Sequence, residues 1–216
     1  MTLDLFPGEP APAIEAIGAE ACVLRGFALP EVALLLAGIE ALQAEAGWRN
    51  METPSGFTMS VAMSNFGPLG WVTNRRGYSY TEIDPLSGRP WPALPASFAR
   101  LATEAAAAAG FVGFRPDACL VNRYLPGSRL SLHQDRNERD YGAPIVSVSL
   151  GMPAVFLFGG LARSDRAARI PLVHGDVVVW GGVDRLRFHG VLPMKDQPHP
   201  LLGSQRINLT FRKAGS

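Results

Sequence analysis

The chain of 216 residues is poor in cysteine, in lysine and in long apolar runs. Its two cysteines, Cys22 and Cys119, have no CxxC spacing, so we expect neither a disulfide framework nor a zinc site built from cysteines. No stretch is long and apolar enough to cross a membrane, and the acidic, proline-broken start lacks the basic residues and apolar block of a secretory signal. These absences predict a cytoplasmic protein that does not bind a membrane.

The charges are unevenly distributed along the chain. Hydrophobic residues make up 47% and charged residues 18%, which is enough apolar material for the core of one domain. Residues 1–66 carry a net charge of −6 and residues 67–216 a net charge of +7, and 18 of the 20 basic residues are arginine. Because arginine forms bidentate contacts with carboxylates and phosphates, this pattern mildly supports an anionic partner. A solvated basic face is the simpler interpretation of the charge alone.

The spacing of apolar residues predicts helices first and a β-rich core afterwards. Two helices are predicted, at 30–46 and 95–109, each with a proline at its start and a glycine after its end. The intervening residues 48–94 are rich in Gly, Pro, Asn and aromatics, which predicts short strands and loops. From residue 117 onward, short β-rich runs separated by turn residues predict a sandwich or barrel.

Polar residues alternate with apolar ones in several of the predicted strands. Residues two apart share a face, so in 206–212 Arg206 and Arg212 lie together, opposite the apolar positions. Two arginines on one polar face match a dicarboxylate, which favours function over a solvated face. For Ser147 and Ser149 the two interpretations are balanced. The other members of these polar faces are Asn122, Tyr124, Asn208 and Thr210.

The stretch LSLHQDRNERD contains His133 and Asp135, which would share a face of an extended segment. Two histidines and a carboxylate form the facial triad of non-haem Fe(II) oxygenases. An isolated HxD is more often a surface turn, so a third ligand is needed. The remaining histidines are His174, His189 and His199. His199 lies between prolines, and the spacing does not decide between the other two.

Several motifs together resemble the AlkB-type Fe(II)/2-oxoglutarate-dependent dioxygenases, the bacterial DNA alkylation-repair demethylases. They are TPSGFTMSVAMSNFGPLGWVTNRRGYSY (53–80), PDACLVNRYLPGSRLSLHQD (116–135), APIVSVSLGMPAVFLFGG (143–160), HGDVVVWGG (174–182), RFHGV (187–191) and RINLTFR (206–212). The resemblance covers nearly all of the chain after residue 20. It implies an α+β fold in a single domain, 1–216: an N-terminal arm at about 1–20, N-terminal helices, a nucleotide-recognition lid at about 48–94 and a double-stranded β-helix (jelly-roll) core at about 117–213.

The resemblance also assigns roles to the polar residues. It implies that His133, Asp135 and His189 bind Fe(II) and form the catalytic centre. Arg206 and Tyr124 would bind the far carboxylate of 2-oxoglutarate. The remaining pocket residues would be Asn122 and Arg212, at the end that chelates the metal, and Asn208, which lines the pocket; His174 would be structural.

The activity implied by the resemblance is oxidative demethylation of 1-methyladenine and 3-methylcytosine in DNA, with O2 as the second cosubstrate and formaldehyde, succinate and CO2 as products. The partner would be single-stranded DNA, or else duplex DNA with a flipped base or RNA, bound by a monomer. One alternative is a dioxygenase of the same class that acts on RNA, protein or a small molecule. Another is a non-enzymatic β module with a structural zinc, which gives no reason for Arg206 and Arg212 to face a cavity.

Aromatic residues and arginines are interleaved in residues 57–80. This pattern fits a stacking and phosphate-binding surface, or else a hydrophobic cover over the barrel mouth. The resemblance makes it the lid, in which Trp71 would stack on the target base opposite His133. The other expected substrate contacts are Thr53, Met59, Tyr78, Asn137 and Arg163, with Arg129 and Arg136 as further phosphate candidates.

Asn137 departs from the family pattern, which has an acidic residue at that position. An asparagine carries no charge to favour a cationic methylated base, so the balance between 1-methyladenine and 3-methylcytosine stays open. The adjacent Glu138 would point the other way if the segment is extended.

Overall fold

The computed structural model describes residues 13–215, which form two larger antiparallel sheets, a separate two-stranded sheet and two helices outside them. None of the helices in this part of the chain has the length and apolar character needed to cross a membrane. The helices and strands are β1 (Ile14–Ala16), β2 (Ala21–Leu24), α1 (Val32–Glu45), β3 (Ala62–Phe66), β4 (Gly70–Asn74), β5 (Gly77–Thr81), α2 (Ala96–Ala108), β6 (Ala118–Tyr124), β7 (Leu130–His133), β8 (Ile145–Gly151), β9 (Ala154–Phe158), β10 (Ala168–Leu172), β11 (Val177–Trp180), β12 (His189–Val191) and β13 (Arg206–Arg212), with 3-10 turns at Leu29–Glu31 and Gly182–Asp184.

The two larger sheets form the jelly-roll core. The seven-stranded sheet has the order β1-β2-β11-β8-β13-β6-β3, and the four-stranded sheet has the order β10-β9-β12-β7. Side chains of the two sheets meet between them, since Asp135, just after β7, pairs with Arg212 of β13. The polar face of β13 therefore points into the space between the sheets, and both helices pack on the other side of the large sheet.

Both predicted helices are confirmed to within about two residues. In each helix the buried apolar residues recur at intervals of one, three or four positions, so they form a single stripe along the helix. The stripes share a core cluster with the apolar face of β13, formed by Ile207, Leu209 and Phe211. The helices approach closely at Gly38, where an added Cβ would lie 2.7 Å from the Phe98 ring. The buried stripes are Val32, Leu35, Ile39 and Leu42 in α1, and Phe98, Leu101, Ala102, Ala105 and Ala106 in α2.

The large sheet includes strands from outside the predicted core range 117–213. Strands β1 and β2 form one edge, and β3, which lies within the predicted lid range 48–94, forms the other. The sequence of β3 does not show the alternation of polar and apolar residues that would predict its place in the sheet. All five of its residues are buried, and they include the polar pair Ser64 and Asn65. Strand β1 falls within the predicted N-terminal arm, of which residues 1–12 lie outside the described part.

The lid hairpin, β4 and β5, stands apart as a two-stranded sheet. Cross-strand partners share a face, so Trp71 lies beside its partner Tyr80 and Thr73 beside Tyr78. The side chain of Asn65 accepts from the Trp71 N–H and donates to the Trp71 carbonyl, both at 3.0 Å. This contact fixes the angle at which the hairpin leaves the core.

A buried ion pair joins the two ends of the lid segment. Arg49 donates to both carboxylate oxygens of Asp84 and lies over the Trp91 ring, 5.1 Å from its centroid. Burial raises the pKa of the Asp84 carboxyl, but hydrogen bonds from Arg49 and from the Leu86 backbone outweigh it and lower the pKa from 3.8 to about 2. Asp84 therefore stabilises the folded state as an anion.

Replacing Asp84 by asparagine should lower the free energy of unfolding by about 2 kcal/mol at pH 7, the value of a shift of this size. Since the folded pKa lies below the unfolded one, the loss should be full above pH 4 and shrink as the pH falls towards about 2. Urea denaturation of wild type and Asp84→Asn at pH 7, 4 and 3 measures this difference. The exposed Glu104→Gln serves as the control, and an Asp84→Asn penalty that does not change with pH would contradict the account.

Candidate metal centre

Strand pairing in the small sheet brings a third candidate metal ligand beside His133 and Asp135. His133 ends β7, His189 begins β12, and the two residues are direct partners in the small sheet. Their ring centroids are 4.4 Å apart. Asp135 follows two residues after β7, and one ligand atom from each of the three side chains lies within 4.8 Å of the others. Within residues 13–215, this is the one group of three or more such side chains that could hold a metal ion.

The hydrogen bonds of the two histidines turn their free nitrogens toward Asp135. His133 Nδ1 donates to the carbonyl of Ser131 at 2.9 Å, and His189 Nδ1 donates to that of Arg187 at 3.0 Å. Because a carbonyl oxygen can only accept, each Nδ1 carries the proton and each Nε2 keeps a free lone pair. Each Nε2 is 3.8 Å from an Asp135 oxygen, too far for a hydrogen bond. The three side chains therefore fit a shared metal ion.

The surroundings keep His189 and Asp135 in their metal-binding protonation states. Burial, together with the nearby His133 ring, lowers the pKa of His189 from 6.5 to about 3, so its imidazole is neutral at physiological pH. Burial would raise the pKa of Asp135, but Arg212 holds it well below the usual range of a carboxyl group. Arg212 donates to Asp135 Oδ2 from Nε at 2.8 Å, with its Nη2 at 2.7 Å from the same oxygen. Two imidazoles and one carboxylate suit Fe(II).

A second buried arginine, on the same polar face of β13 as Arg212, has no anionic partner among the described residues. Arg206 is 1% exposed; its Nη2 donates to Ser149 Oγ at 2.9 Å, and its guanidinium lies over the Tyr124 ring. Its Nε and Nη1 have no hydrogen-bond partner, nor does the buried Asn122 Oδ1. An unpaired buried guanidinium is costly, so the site is built for a carboxylate. The unpaired N–H groups of Arg206 fit one carboxylate of 2-oxoglutarate.

The structure places all the expected cosubstrate residues inside the protein. Asn208 donates to Ser147 Oγ at 2.8 Å, and Asn122 donates to Asn208 Oδ1 at 3.4 Å. The serines of β8 thus face the cavity and not the solvent. Arg212 lies at the metal end of this group, where it contacts Asp135 directly. His174 is not part of the metal group: its Nδ1 accepts from the Gly151 N–H at 2.9 Å, and its ring stacks on His199.

Three of the expected substrate residues, Trp71, Tyr78 and Asn137, lie together. Trp71 stacks on Tyr78 with ring centroids 5.7 Å apart, and its Nε1 donates to Asn137 Oδ1 at 3.4 Å. The others make contacts elsewhere: Thr53 Oγ1 accepts from the Phe57 N–H, Met59 packs against the core, and the exposed Arg163 lies over the Phe188 ring. Arg129 and Arg136 are exposed.

The sequence pattern did not predict the buried contacts of Glu138. Its side chain is buried between Arg185 and Arg212, 3.2 Å from Arg185 Nη2 and 3.4 Å from Arg212 Nε. Strand alternation, on which its expected orientation was conditional, does not extend to residue 138, because β7 ends at His133. Arg185 also donates to the Asp135 carbonyl at 2.9 Å. The sequence feature that could have indicated these contacts is Arg185, which lies four residues before His189 in DRLRFHGV.

Co(II) is a redox-stable substitute for Fe(II). Replacing His189 by alanine should weaken Co(II) binding by more than about 100-fold, which exceeds the loss expected from residues that only orient a ligand. The visible absorption of bound Co(II) measures this affinity. The matched control is His174→Ala, which removes a half-buried histidine outside the group and should leave the affinity unchanged. Equal losses in the two variants would contradict the ligand assignment.

Comparison with known proteins agrees with this geometry. Residues 20–212 match the model of the 2OG-Fe(II) oxygenase superfamily. The alpha-ketoglutarate-dependent dioxygenase AlkB of Salmonella typhimurium is 57% identical over 212 residues, which is 98% of each chain. The nucleic acid dioxygenase ALKBH1 of Mus musculus is 37% identical over 133 residues, 61% of this chain and 33% of that protein.

A solved structure supports the fold. The structure of OsALKBH1 superposes with a TM-score of 0.82 and 29% identity, covering 93% of this chain and 100% of that one. The predicted α+β jelly roll and the resemblance to a known family are thereby confirmed. The chain belongs to the 2OG-Fe(II) oxygenase superfamily and is an Fe(II)/2-oxoglutarate-dependent dioxygenase of the AlkB type.

Proposed function

We propose that the protein removes methyl groups from 1-methyladenine and 3-methylcytosine in DNA, preferentially single-stranded, and in RNA. The reaction consumes O2 and 2-oxoglutarate and releases formaldehyde, succinate and CO2. The observation that carries this proposal is the position of the Trp71, Tyr78 and Asn137 group, because Asn137 is only two residues beyond Asp135. A flat aromatic surface beside a metal centre suits a base taken out of its stack.

The open side of the metal site supports the same substrate position. The side chain of His133 is 35% exposed, whereas that of His189 is 6% exposed. Substrate would therefore approach past His133, and a base stacked on Trp71 would be held opposite that ring. The name of the mouse relative, a nucleic acid dioxygenase, is consistent with this substrate class.

The chain's own residues hold the reactants in place. His133, Asp135 and His189 would hold Fe(II), and Arg206 with Tyr124 would bind the far carboxylate of 2-oxoglutarate. Asn122 and Asn208 would line the pocket, while the two sheets exclude water. When bound, Fe(II) and 2-oxoglutarate supply the chemistry by which O2 oxidises the N-methyl carbon, and the hydroxylated methyl group is then lost as formaldehyde.

The lid and the surface arginines would position the nucleic acid. Within the single domain, residues 48–94 would act as the lid, with Thr53 and Met59 as further substrate contacts. Arg163 would contact a phosphate, as would Arg129 and Arg136, since all three are exposed and arginine pairs well with phosphate.

The protein is also proposed to act as a monomer in the cytoplasm. Every residue of the proposed site comes from one chain, so the site is complete without a second copy. Both cysteines are free and buried, which is compatible with a reducing compartment.

Incubation of a single-stranded DNA carrying one 3-methylcytosine with the protein, Fe(II), 2-oxoglutarate, ascorbate and air should remove the methyl group. Mass spectrometry of the oligonucleotide measures the loss, with His133→Ala as the control. Succinate formation with an unchanged oligonucleotide would refute this substrate and point to an RNA, protein or small-molecule substrate. Absence of both products from iron-loaded protein would refute the catalytic assignment as well.

Exchanging Asn137 for aspartate should lower the KM for 3-methylcytosine in single-stranded DNA by several-fold. A carboxylate near a cationic base contributes about 1 kcal/mol at a partly exposed position. The gain should diminish at high salt, because salt screens exposed charges. Steady-state kinetics at two ionic strengths measure it, with the exposed Asp140→Asn as a control for net charge. A KM unchanged at low salt would exclude a role for charge at this position.

A further inference from the structure

A buried network of charged side chains connects the lid to the metal centre. Its members are Asp135, Glu138, Arg185 and Arg212, two carboxylates and two guanidinium groups with no net charge. All four are less than one-tenth exposed. Tyr80, on strand β5 of the lid hairpin, donates its hydroxyl to Glu138 Oε1 at 2.6 Å. The hairpin is thus bonded to a residue that also contacts the arginine holding Asp135.

We propose that Tyr80 is a positioning residue that ties the lid hairpin to Asp135 through Glu138 and Arg212. Through this connection, turnover of 2-oxoglutarate depends on whether the lid holds a target base. The inference rests on the proposed function, because it takes Asp135 as an iron ligand.

The geometry at Arg212 explains why the hydroxyl of Tyr80 matters. Arg212 Nε lies between two carboxylates, 2.8 Å from Asp135 Oδ2 and 3.4 Å from Glu138 Oε1. The same Glu138 oxygen accepts the short bond from Tyr80. Without that bond, Oε1 would have only Arg212 Nε near it and would draw Arg212 away from Asp135. Because the site is buried, water cannot readily replace the lost donor.

The protonation of Tyr80 fits a donor role. Burial raises the pKa of the Tyr80 hydroxyl well above 10, and the nearby Glu138 carboxylate adds to this effect against the opposing influence of Arg212. The hydroxyl therefore stays protonated. Glu138 Oε2 is held separately by Arg185 Nη2 at 3.2 Å, which leaves Oε1 as the oxygen that responds to the lid.

On the lid side, Tyr80 is linked to the expected base-stacking residue. Tyr80 and Trp71 are direct cross-strand partners, so their side chains share the face that also carries Tyr78. Two side-chain hydrogen bonds join this face to the segment after Asp135: Trp71 to Asn137 at 3.4 Å and Tyr80 to Glu138 at 2.6 Å. A base stacked on Trp71 would shift the hairpin, and the shorter bond would carry that shift to Glu138.

The test compares Tyr80→Phe with Ser79→Ala, a change on the other face of the same strand. Co(II) titration without DNA should show about 10-fold weaker binding in Tyr80→Phe, the lower end of losses caused by residues that orient a ligand. With the DNA substrate, the ratio of succinate to formaldehyde should rise several-fold, because 2-oxoglutarate turnover no longer depends on the lid. Ser79→Ala should change neither quantity.

A second variant, Glu138→Gln, keeps the result interpretable. If the two residues act in one chain of contacts, the double variant should bind Co(II) no more weakly than Glu138→Gln alone. Tyr80→Phe binding Co(II) within twofold of wild type, with an unchanged product ratio, would overturn the inference and leave Tyr80 as a lid residue alone. Asp135→Ala distinguishes failure of this inference from failure of the metal assignment. Normal Co(II) binding in that variant would overturn the metal assignment, and this inference with it.

Discussion

The buried ion pair between Arg212 and Asp135 underlies both the fold and the site. Asp135 follows the small sheet and Arg212 belongs to the large one, so the pair joins the two sheets across the cavity. A carboxylate buried in this position would be strongly destabilising without a partner. Arg212 supplies that partner and leaves Asp135 Oδ1 directed towards His133. The same contact that allows the charge to be buried also orients it for a metal ion.

The charge balance of the cavity explains its selectivity for a dianion. Asp135, Glu138, Arg185 and Arg212 cancel one another, and His189 is neutral. Arg206 and a divalent metal ion would then leave an excess of positive charge. A dicarboxylate that reaches both offsets this excess, whereas a neutral molecule would leave Arg206 unpaired. A dicarboxylate cosubstrate thus suits the electrostatics of the site.

The sequence predicted the parts of the site that lie on regular strands. The polar face of 206–212 follows from alternation, because β13 is a full-length strand in the middle of the large sheet. The choice of His189 over His174 could not follow from spacing, since it depends on the pairing of β12 with β7. The contacts of Glu138 could not follow from alternation, because the strand ends before it. The inclusion of β3 in the sheet was missed because a strand buried on both faces shows no alternation.

Fe(II) and 2-oxoglutarate should bind together in this protein, with Arg206 as the anchor of the cosubstrate. An anaerobic titration of 2-oxoglutarate into the Fe(II)-loaded protein tests this, followed by the visible charge-transfer absorption that arises when the cosubstrate chelates the metal. We expect saturable absorption in the wild type and at least about 10-fold weaker binding in Arg206→Met, because a buried charge-assisted pair is lost. Equal affinity in the two proteins, or no absorption in the wild type, would contradict it.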